Sequence, residues 1–262
     1  MVFITGVSSG IGAATARLLG AAGYRVFGGA RDPERIQAAP GVELVACDVR
    51  DEISVRTAVD QIIDRAGRID VLVNNAGVSL AGPIEATSVE EAQALFDTNV
   101  FGALRTIRSV LPDMRARRSG LIVNVSSVLG FLPAPFMGLY AASKHAIEGL
   151  SETLDHEVRN LGIRVVLLEP SFTRTNLDLG SKRTAAVIAD YADALARSHR
   201  AVVQQIATAP RPETVAEKIA AIIKGPHRLR EPADRRARLL RTLRRYAPVK
   251  GVDSSLRKTF GL

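Results

Sequence analysis

Short apolar runs alternate with longer stretches in which apolar residues recur every three or four positions. Val2, Phe3 and Ile4 form a β-rich run, and residues 13–22 turn to helical spacing with Leu18 and Leu19 on the apolar side. Residues 24–30 predict a second strand, Pro33 and Glu34 open a short helix, and residues 42–46 predict a third strand. Residues 51–66 read as a helix with Val55, Val59, Ile62 and Ile63 on one face. Residues 69–73 predict a fourth strand, 88–117 a long helix, 121–125 a fifth strand, 140–160 a helix and 163–168 a sixth strand. Six strand–helix alternations predict an α/β fold: a doubly wound parallel sheet covered on both faces, three α/β/α layers in all. Beyond it, residues 184–206 carry a weak helical pattern and 212–224 a clear one. Leu229 begins a short last strand, and residues 233–246 read as a basic helix with Leu239, Leu243 and Tyr246 along one side. With no repeat or low-complexity linker in view, residues 1–225 are read as one Rossmann-like domain and 226–262 as a basic extension packed on or near it.

Thr5-Gly6-Val7-Ser8-Ser9-Gly10-Ile11-Gly12 joins the first strand to the first helix. Glycines let backbone approach a pyrophosphate, and a helix N-terminus offers free N–H groups and the positive end of its dipole. The spacing Gly6-x-x-x-Gly10-x-Gly12 differs from G-x-G-x-x-G, and a ligand-free tight turn would use the same residues. Its place at the head of an alternating pattern favours the phosphate cradle. The residue ending the second strand of such a sheet faces the adenosine ribose, where an acid binds the 2′-OH and an arginine accommodates a 2′-phosphate. Arg31 is the first residue past the strand, so NADP(H) is favoured over NAD(H). Asp32 keeps the opposite reading open, because a strand one residue longer exchanges the two roles.

Asn74-Asn75-Ala76-Gly77 ends the fourth strand, at the carboxyl edge where open α/β sheets bind ligands. Its amides suit a ligand contact or a brace between loops. Within the long helix lies Asp97-Thr98-Asn99-Val100-Phe101-Gly102, and a glycine there weakens a helix by about 1 kcal/mol. A kink or a functional contact at Asn99 would account for it.

Apolar residues make up 47% and charged residues 24%, an ordinary balance for a soluble globular chain. No run reaches the roughly 18 apolar residues of a membrane span. The single cysteine, Cys47, excludes an intrachain disulfide and reads as core, and no Cys/His set has metal-ligand spacing. The start of the chain lacks a basic n-region and a cleavage site. Together these features favour the cytoplasm. The net charge of +8 sits entirely in residues 226–262, which hold eleven Lys/Arg against Glu231, Asp234 and Asp253. No nucleic-acid-binding motif accompanies it, so no nucleic-acid partner is expected.

Tyr140-Ala141-Ala142-Ser143-Lys144 carries the candidate chemistry. On a helix, positions i and i+4 share a face. An ammonium beside a phenol favours the phenolate and lowers its pKa, and a tyrosine moved toward neutrality serves as general acid or base. Such pairs are common, so this one gains weight only from its neighbours in the chain.

Those neighbours, in order, resemble the short-chain dehydrogenase/reductases over roughly residues 1–225. The turn from Thr5 to Gly12 looks like that family's TGxxxGIG, Asp48-Val49 like its adenine-contacting pair, and Asn74 to Gly77 like its NNAG. Asn99 looks like its helix asparagine, and Tyr140 with Lys144 like its YxxxK. The thirteen-residue offset to the tyrosine selects Ser127 over Ser126. The resemblance implies hydride transfer between a nicotinamide and a carbonyl or alcohol, with Asn99, Ser127, Tyr140 and Lys144 as the catalytic set. Tyr140 would exchange the proton, Lys144 would lower its pKa and hold the ribose, Ser127 would bind the substrate oxygen, and Asn99 would hold a water. Cofactor contacts carried over are Gly6, Ser8, Ser9, Gly10, Ile11, Gly12, Arg31, Asp48, Val49, Asn75, Ala76, Gly77, Tyr140, Lys144, Pro170, Thr173 and Thr175. Where the family has Pro-Gly after the sixth strand, this chain has Pro170-Ser171, which puts the local loop geometry in question.

A lyase or epimerase on the same scaffold, or a cofactor sensor without turnover, are the competing classes. Substrate contacts are expected from Ser127, Leu129, Phe136, Met137, Tyr140 and Phe172, with further lining from Leu132 and residues 172–206. These apolar side chains suit a lipophilic ketone or alcohol and also ordinary core packing. His145 and His156 read as structural or interfacial. Members of this family assemble through the helices that correspond to those starting at Ser88 and Tyr140, so a homodimer or homotetramer is expected. The basic tail fits two readings: a solvated helix whose leucines dock on the body, which is favoured, or an amphipathic helix on an acidic membrane surface.

Overall fold

The computed structural model describes residues 1–175, 177 and 182–262, with Lys182 described by its backbone alone. Its main sheet contains β1 (Val2–Thr5), β2 (Val26–Ala30), β3 (Val42–Ala46), β4 (Val71–Asn74), β6 (Gly120–Val125), β7 (Ile163–Glu169) and β9 (Arg230–Pro232). All pair in parallel, in the spatial order β3-β2-β1-β4-β6-β7-β9. Between β1 and β4 the order reverses direction, and this is where open α/β sheets form their ligand crevice. The six expected strands are present, and β9 supplies a seventh where a last strand was read at Leu229.

Alternation along each strand feeds two cores. From β1, Phe3 enters a cluster with Phe27, Ile62, Ile107, Met114 and Ile122, beneath α2 (Glu52–Ala66), α4 (Gly102–Arg117) and α5 (Gly138–Val158). Val2 and Ile4 point the other way, to Leu19, Val73, Ile219 and Ile222 beneath α1 (Gly10–Ala21) and α7 (Pro212–Lys224). Each such side chain contributes about 1.5–3 kcal/mol on burial, so helices on both faces are held by the pattern that predicted them. The termini agree with the sequence. Asp51 Oδ1 accepts from the Ile53 and Ser54 N–H groups at the start of α2, and Pro212 occupies the first turn of α7.

The long helix read over 88–117 is divided. α3 (Val89–Phe96) opens on a Ser88–Glu91 capping box. A π turn over Asp97–Phe101 follows, and α4 resumes at Gly102. A Cβ on Gly102 would lie 2.8 Å from Val49 Cγ2, so close packing against the β3 side explains the glycine and the π turn supplies the kink.

The region read as one helix over 184–206 is also divided. Its start extends a small parallel pair, β5 (Leu80–Ala81) with β8 (Lys182–Arg183), and α6 (Ala192–Ala207) forms its second half. In the extension, α8 (Arg235–Tyr246) is joined by a helix the pattern did not show, α9 (Val249–Thr259). The tail meets the body through a few residues. Ala237 and Phe260 are buried and the half-exposed Leu243 lines a groove against the body, whereas Leu239 and Tyr246 face solvent, Tyr246 at 74% exposure. Among the described residues no helix is long and apolar enough to cross a membrane.

Candidate active site

The carboxyl ends of β1, β4, β6 and β7 meet at the crevice, and each delivers one part of the site. After β1, Gly6 and Gly10 take left-handed φ values of 73° and 58°, which glycine adopts without strain. A Cβ on Gly12 would sit 2.3 Å from the Gly6 carbonyl oxygen and 2.4 Å from Asn75 Nδ2. The turn is therefore packed directly on the loop after β4. Asn75 Nδ2 donates to the Thr5 and Gly6 carbonyls at 2.9 and 3.0 Å, and Thr5 Oγ1 accepts from the Asn75 and Ala76 N–H groups. This asparagine therefore braces the two loops while it also lines the cleft. Asn74 braces deeper: its Nδ2 donates to Asn124 Oδ1, and its Oδ1 accepts from Thr106 Oγ1. Thr5 was not among the expected site residues. Its place between the first strand and the glycines was the available signal.

The first turn of α1 has the chemistry an anion needs. Ser9 caps it without a side-chain hydrogen bond, and no acidic residue lies in the first turn. Ser8 and Ser9 are exposed beside it. Across the turn, Thr175 Cγ2 lies 3.3 Å from where a Gly10 Cβ would be, so the loop after β7 comes over the helix N-terminus. Closely packed glycines and an open helix end fit the pyrophosphate of a nicotinamide dinucleotide.

At the adenosine end β2 stops at Ala30, leaving Arg31 exposed as the first residue beyond it. Asp48 is gripped by Arg50, whose Nη2 donates to Oδ2 at 2.6 Å. That bond, with help from the charge of Arg31, holds the Asp48 carboxyl below the usual range. Val49 is buried; its carbonyl accepts from Arg105 Nη1, and its side chain fills the space beside Gly102. Next to this pair, burial and the Asp48 charge push the Cys47 thiol up to about 12, as suits a core residue.

α5 carries Tyr140 and Lys144 on one face, both buried, with the ammonium 5.6 Å from the phenol ring centroid. Lys144 Nζ donates to the Val125 carbonyl at 2.9 Å, which fixes it at the end of β6. A Cβ on Gly77 would lie 4.0 Å from that Nζ and 3.4 Å from Asn99 Oδ1, so the β4 loop passes directly over both. Asn99 is held on three sides: Oδ1 accepts from Val78 N–H, and Nδ2 donates to the Val78 carbonyl and to Ser143 Oγ. Ser127 Oγ accepts from Leu129 N–H at 3.1 Å, which leaves its own proton to donate.

One cleft collects Ile11, Asn75, Gly77, Ser127, Leu129, Tyr140, Lys144, Pro170, Phe172, Thr173 and Thr175. Leu177, within the expected 172–206 lining, also lines it, as do Val125, Ser126, Val128 and Ser171, which were not expected and flank predicted residues at the strand ends. Phe136 and Met137 are not brought to this cleft. They line a separate pocket with Ala81, Leu195 and Val202, where Phe136 meets Tyr191 edge-on. They were expected in the cleft because their loop leads directly to Tyr140, but the turn before α5 directs them toward α6. Within the expected lining of 172–206, residues 176 and 178–181 lie outside the described residues. Ser171 itself is unstrained: among the described residues only Arg118 and Phe136 have positive φ without being glycine. Its N–H and Oγ both donate to Asp234 Oδ2, at 3.1 and 2.8 Å.

Residues 1–185 match the family model described as short chain dehydrogenase. The 3-ketodihydrosphingosine reductase of Bacteroides thetaiotaomicron is 37% identical over 225 residues, 85% of this chain and 83% of that protein. A short-chain dehydrogenase from Streptomyces avermitilis superposes with a TM-score of 0.82 at 32% identity, over 98% of this chain and 96% of that one. A short-chain dehydrogenase/reductase from Burkholderia phymatum, solved in complex with NAD, superposes with a TM-score of 0.79 at 28% identity, over 93% and 91%. With the strand order, the packed glycine turn and the buried Tyr140–Lys144 face, these likenesses establish that the chain belongs to the short-chain dehydrogenase/reductase family, nicotinamide-dependent oxidoreductases acting on CH–OH and C=O groups.

Proposed function

We propose that this enzyme transfers hydride between NADP(H) and a lipophilic ketone or alcohol, with Tyr140 as the general acid and base. The observation that carries the reading is the convergence of Ser127, Tyr140 and Lys144 in one cleft with Gly77 and Thr175. A bound nicotinamide supplies or accepts the hydride. Tyr140 gives a proton to the carbonyl oxygen in reduction and takes one from the alcohol in oxidation. The buried Lys144 ammonium, anchored on Val125, favours the phenolate and reaches the ribose side of the cleft. Ser127, its oxygen oriented by Leu129 N–H, donates to the reacting oxygen and stabilises charge there.

A polar cavity of about 10 Å³, room for one water, lies beneath Lys144 and is bordered by Thr98, Asn99 and Asn124. The resemblance gives Asn99 a water, and a water in this cavity would serve Lys144 as its proton supply.

Support for NADP(H) over NAD(H) comes from Arg31, exposed just past β2, with Arg50 nearby neutralising Asp48. The exposed Val89, at the start of α3, and Phe101, on the π turn, support assembly of a homodimer or homotetramer through the α3–α4 surface. Tyr140→Phe tests the central claim. Turnover should fall about a thousandfold, while the NADPH dissociation constant, read by nucleotide fluorescence, stays within about twofold. Normal turnover in that variant would remove the tyrosine from its role.

A further inference from the structure

A second cavity adjoins the catalytic cleft, bounded by the C-terminal helices. It lies between the 128–134 segment and Phe172 on one side and α8 and α9 on the other, with a volume of about 330 Å³. Leu129, Leu132, Leu240, Val252, Leu256 and Phe260 make its walls overwhelmingly apolar. Val128, Leu129, Ser171 and Phe172 line both spaces, so the groove leads away from Ser127 and Tyr140. The Ser171–Asp234 hydrogen bonds fix its far wall, since Asp234 also caps α8 by accepting from Ala237 N–H. Polar groups are confined to a few positions, among them Arg236, already engaged with Gln205, and Arg244, which is exposed. A ligand rich in hydroxyls would find few partners along these walls and would lose its hydration.

We infer that this groove binds the unbranched aliphatic chain of the substrate, making the enzyme selective for long-chain ketones or alcohols; the inference rests on the hydride-transfer reading above. At about 330 Å³ the groove falls at the lower end of the roughly 300–1,000 Å³ of ligand pockets, space for an alkyl chain of several carbons. The C-terminal extension is then the wall that sets chain-length preference, and its two helices have a role that their sequence pattern did not disclose.

The test uses the full-length enzyme and a series of 2-alkanones from four to fourteen carbons, with NADPH and with NADH. The specificity constant kcat/KM should rise about threefold per added methylene and level off near the length that fills the groove. Gly251→Phe should block it. Gly251 lines the groove, and a side chain there meets nothing within 4 Å of its first carbon, so the fold accepts the change. This variant should lose at least tenfold in kcat/KM on the longest ketones and keep its activity on butanone. A third arm is independent of turnover: a dansylated eleven-carbon fatty acid should bind the wild type saturably, be displaced by 2-tetradecanone, and bind Gly251→Phe at least tenfold more weakly. A flat chain-length profile, or an equal loss on short and long ketones in Gly251→Phe, overturns the inference while leaving the oxidoreductase reading intact. Absence of turnover with every ketone and both cofactors would count against that reading instead, and the fatty probe would still decide whether the groove takes a chain.

Discussion

The crevice and the C-terminal helices are built by opposite means. At the crevice, position is set by buried polar groups and by backbone in contact with backbone. Asn74, Asn99, Asn124 and Lys144 are all buried and hydrogen-bonded, and Gly12 leaves no room for one more carbon. Across residues 235–262 only Ala237 and Phe260 are buried, and the contacts with the body are an apolar groove, the Arg241–Glu169 ion pair and the hydrogen bonds of Arg236 to Gln205 and of Arg197 to the Gly261 carbonyl. The first arrangement holds reacting groups to the few tenths of an ångström that chemistry requires. The second tolerates change, as a surface that selects among substrates can. Substitutions in the two regions should therefore separate into losses of chemistry and losses of selectivity or attachment.

The largest expected effect is at the joint between them. Arg230, on β9, faces Glu148, Glu152 and Glu169, and pairs with all three. Glu148 and Glu169 are buried, and burial pushes the Glu148 carboxyl above its usual range. Because that folded-state pKa lies above the unfolded one, the native state binds the extra proton. The contribution of Glu148 is greatest below the unfolded value, about 4.3, and declines as pH rises through the raised one. Removing Arg230 pushes it further in the same direction. Arg230→Met should cost about 3–5 kcal/mol at pH 8, measured by urea unfolding, and the deficit should narrow as pH falls toward about 5. A deficit independent of pH would mean that the arginine acts by packing alone.

Next comes Gly12→Ala, which tests how rigid the crevice is. The added carbon meets the Gly6 carbonyl and the Asn75 amide, and neither can move without breaking the brace on Thr5. Overpacking of this kind costs about 3 kcal/mol, which corresponds to roughly a hundredfold weaker cofactor binding. Titration of NADPH fluorescence would show it; an unchanged dissociation constant would mean that the turn can relax.

The same contrast decides what the sequence revealed. Crevice residues sit at strand ends, where a change of hydrophobic period marks the boundary, so Gly6 to Gly12, Asn74 to Gly77, Ser127 and Tyr140 with Lys144 were visible as punctuation. The strand boundary that put Arg31 first beyond β2 was read correctly for that reason. Contacts made across the fold were not visible. Phe136 lies four residues from Tyr140, but its side of the turn belongs to the α6 pocket. The π turn at Asp97–Phe101 left only a glycine as its trace, and α9 is a short helix interrupted by Gly251, Ser254 and Ser255, which weaken a helical reading. Ser171 looked like a defect in a motif because its partner, Asp234, lies 63 residues away.

Arg31→Ala is a smaller test, at the rim of the crevice. Loss of one charged contact to a phosphate costs about 2 kcal/mol, so KM for NADPH should rise roughly thirtyfold while KM for NADH stays nearly unchanged. Equal changes for both cofactors would refute a phosphate contact.

Ser171→Gly should have the smallest effect, and it separates the regions most finely. The substitution restores the dipeptide usual in the family and removes one hydrogen bond, from Ser171 Oγ to Asp234. The main-chain bond from Ser171 N–H to the same oxygen stays, and Asp234 still caps α8. The loss should be about 1 kcal/mol, seen as a slightly lower urea midpoint. Since serine is unstrained at this position, glycine relieves nothing in the loop. Cofactor affinity and turnover of short ketones should therefore hold within about twofold, while the preference for long chains weakens as α8 loosens. If cofactor affinity falls instead, Ser171, which lines both spaces, acts chiefly for the crevice, and the boundary between the two regions must be drawn beyond it.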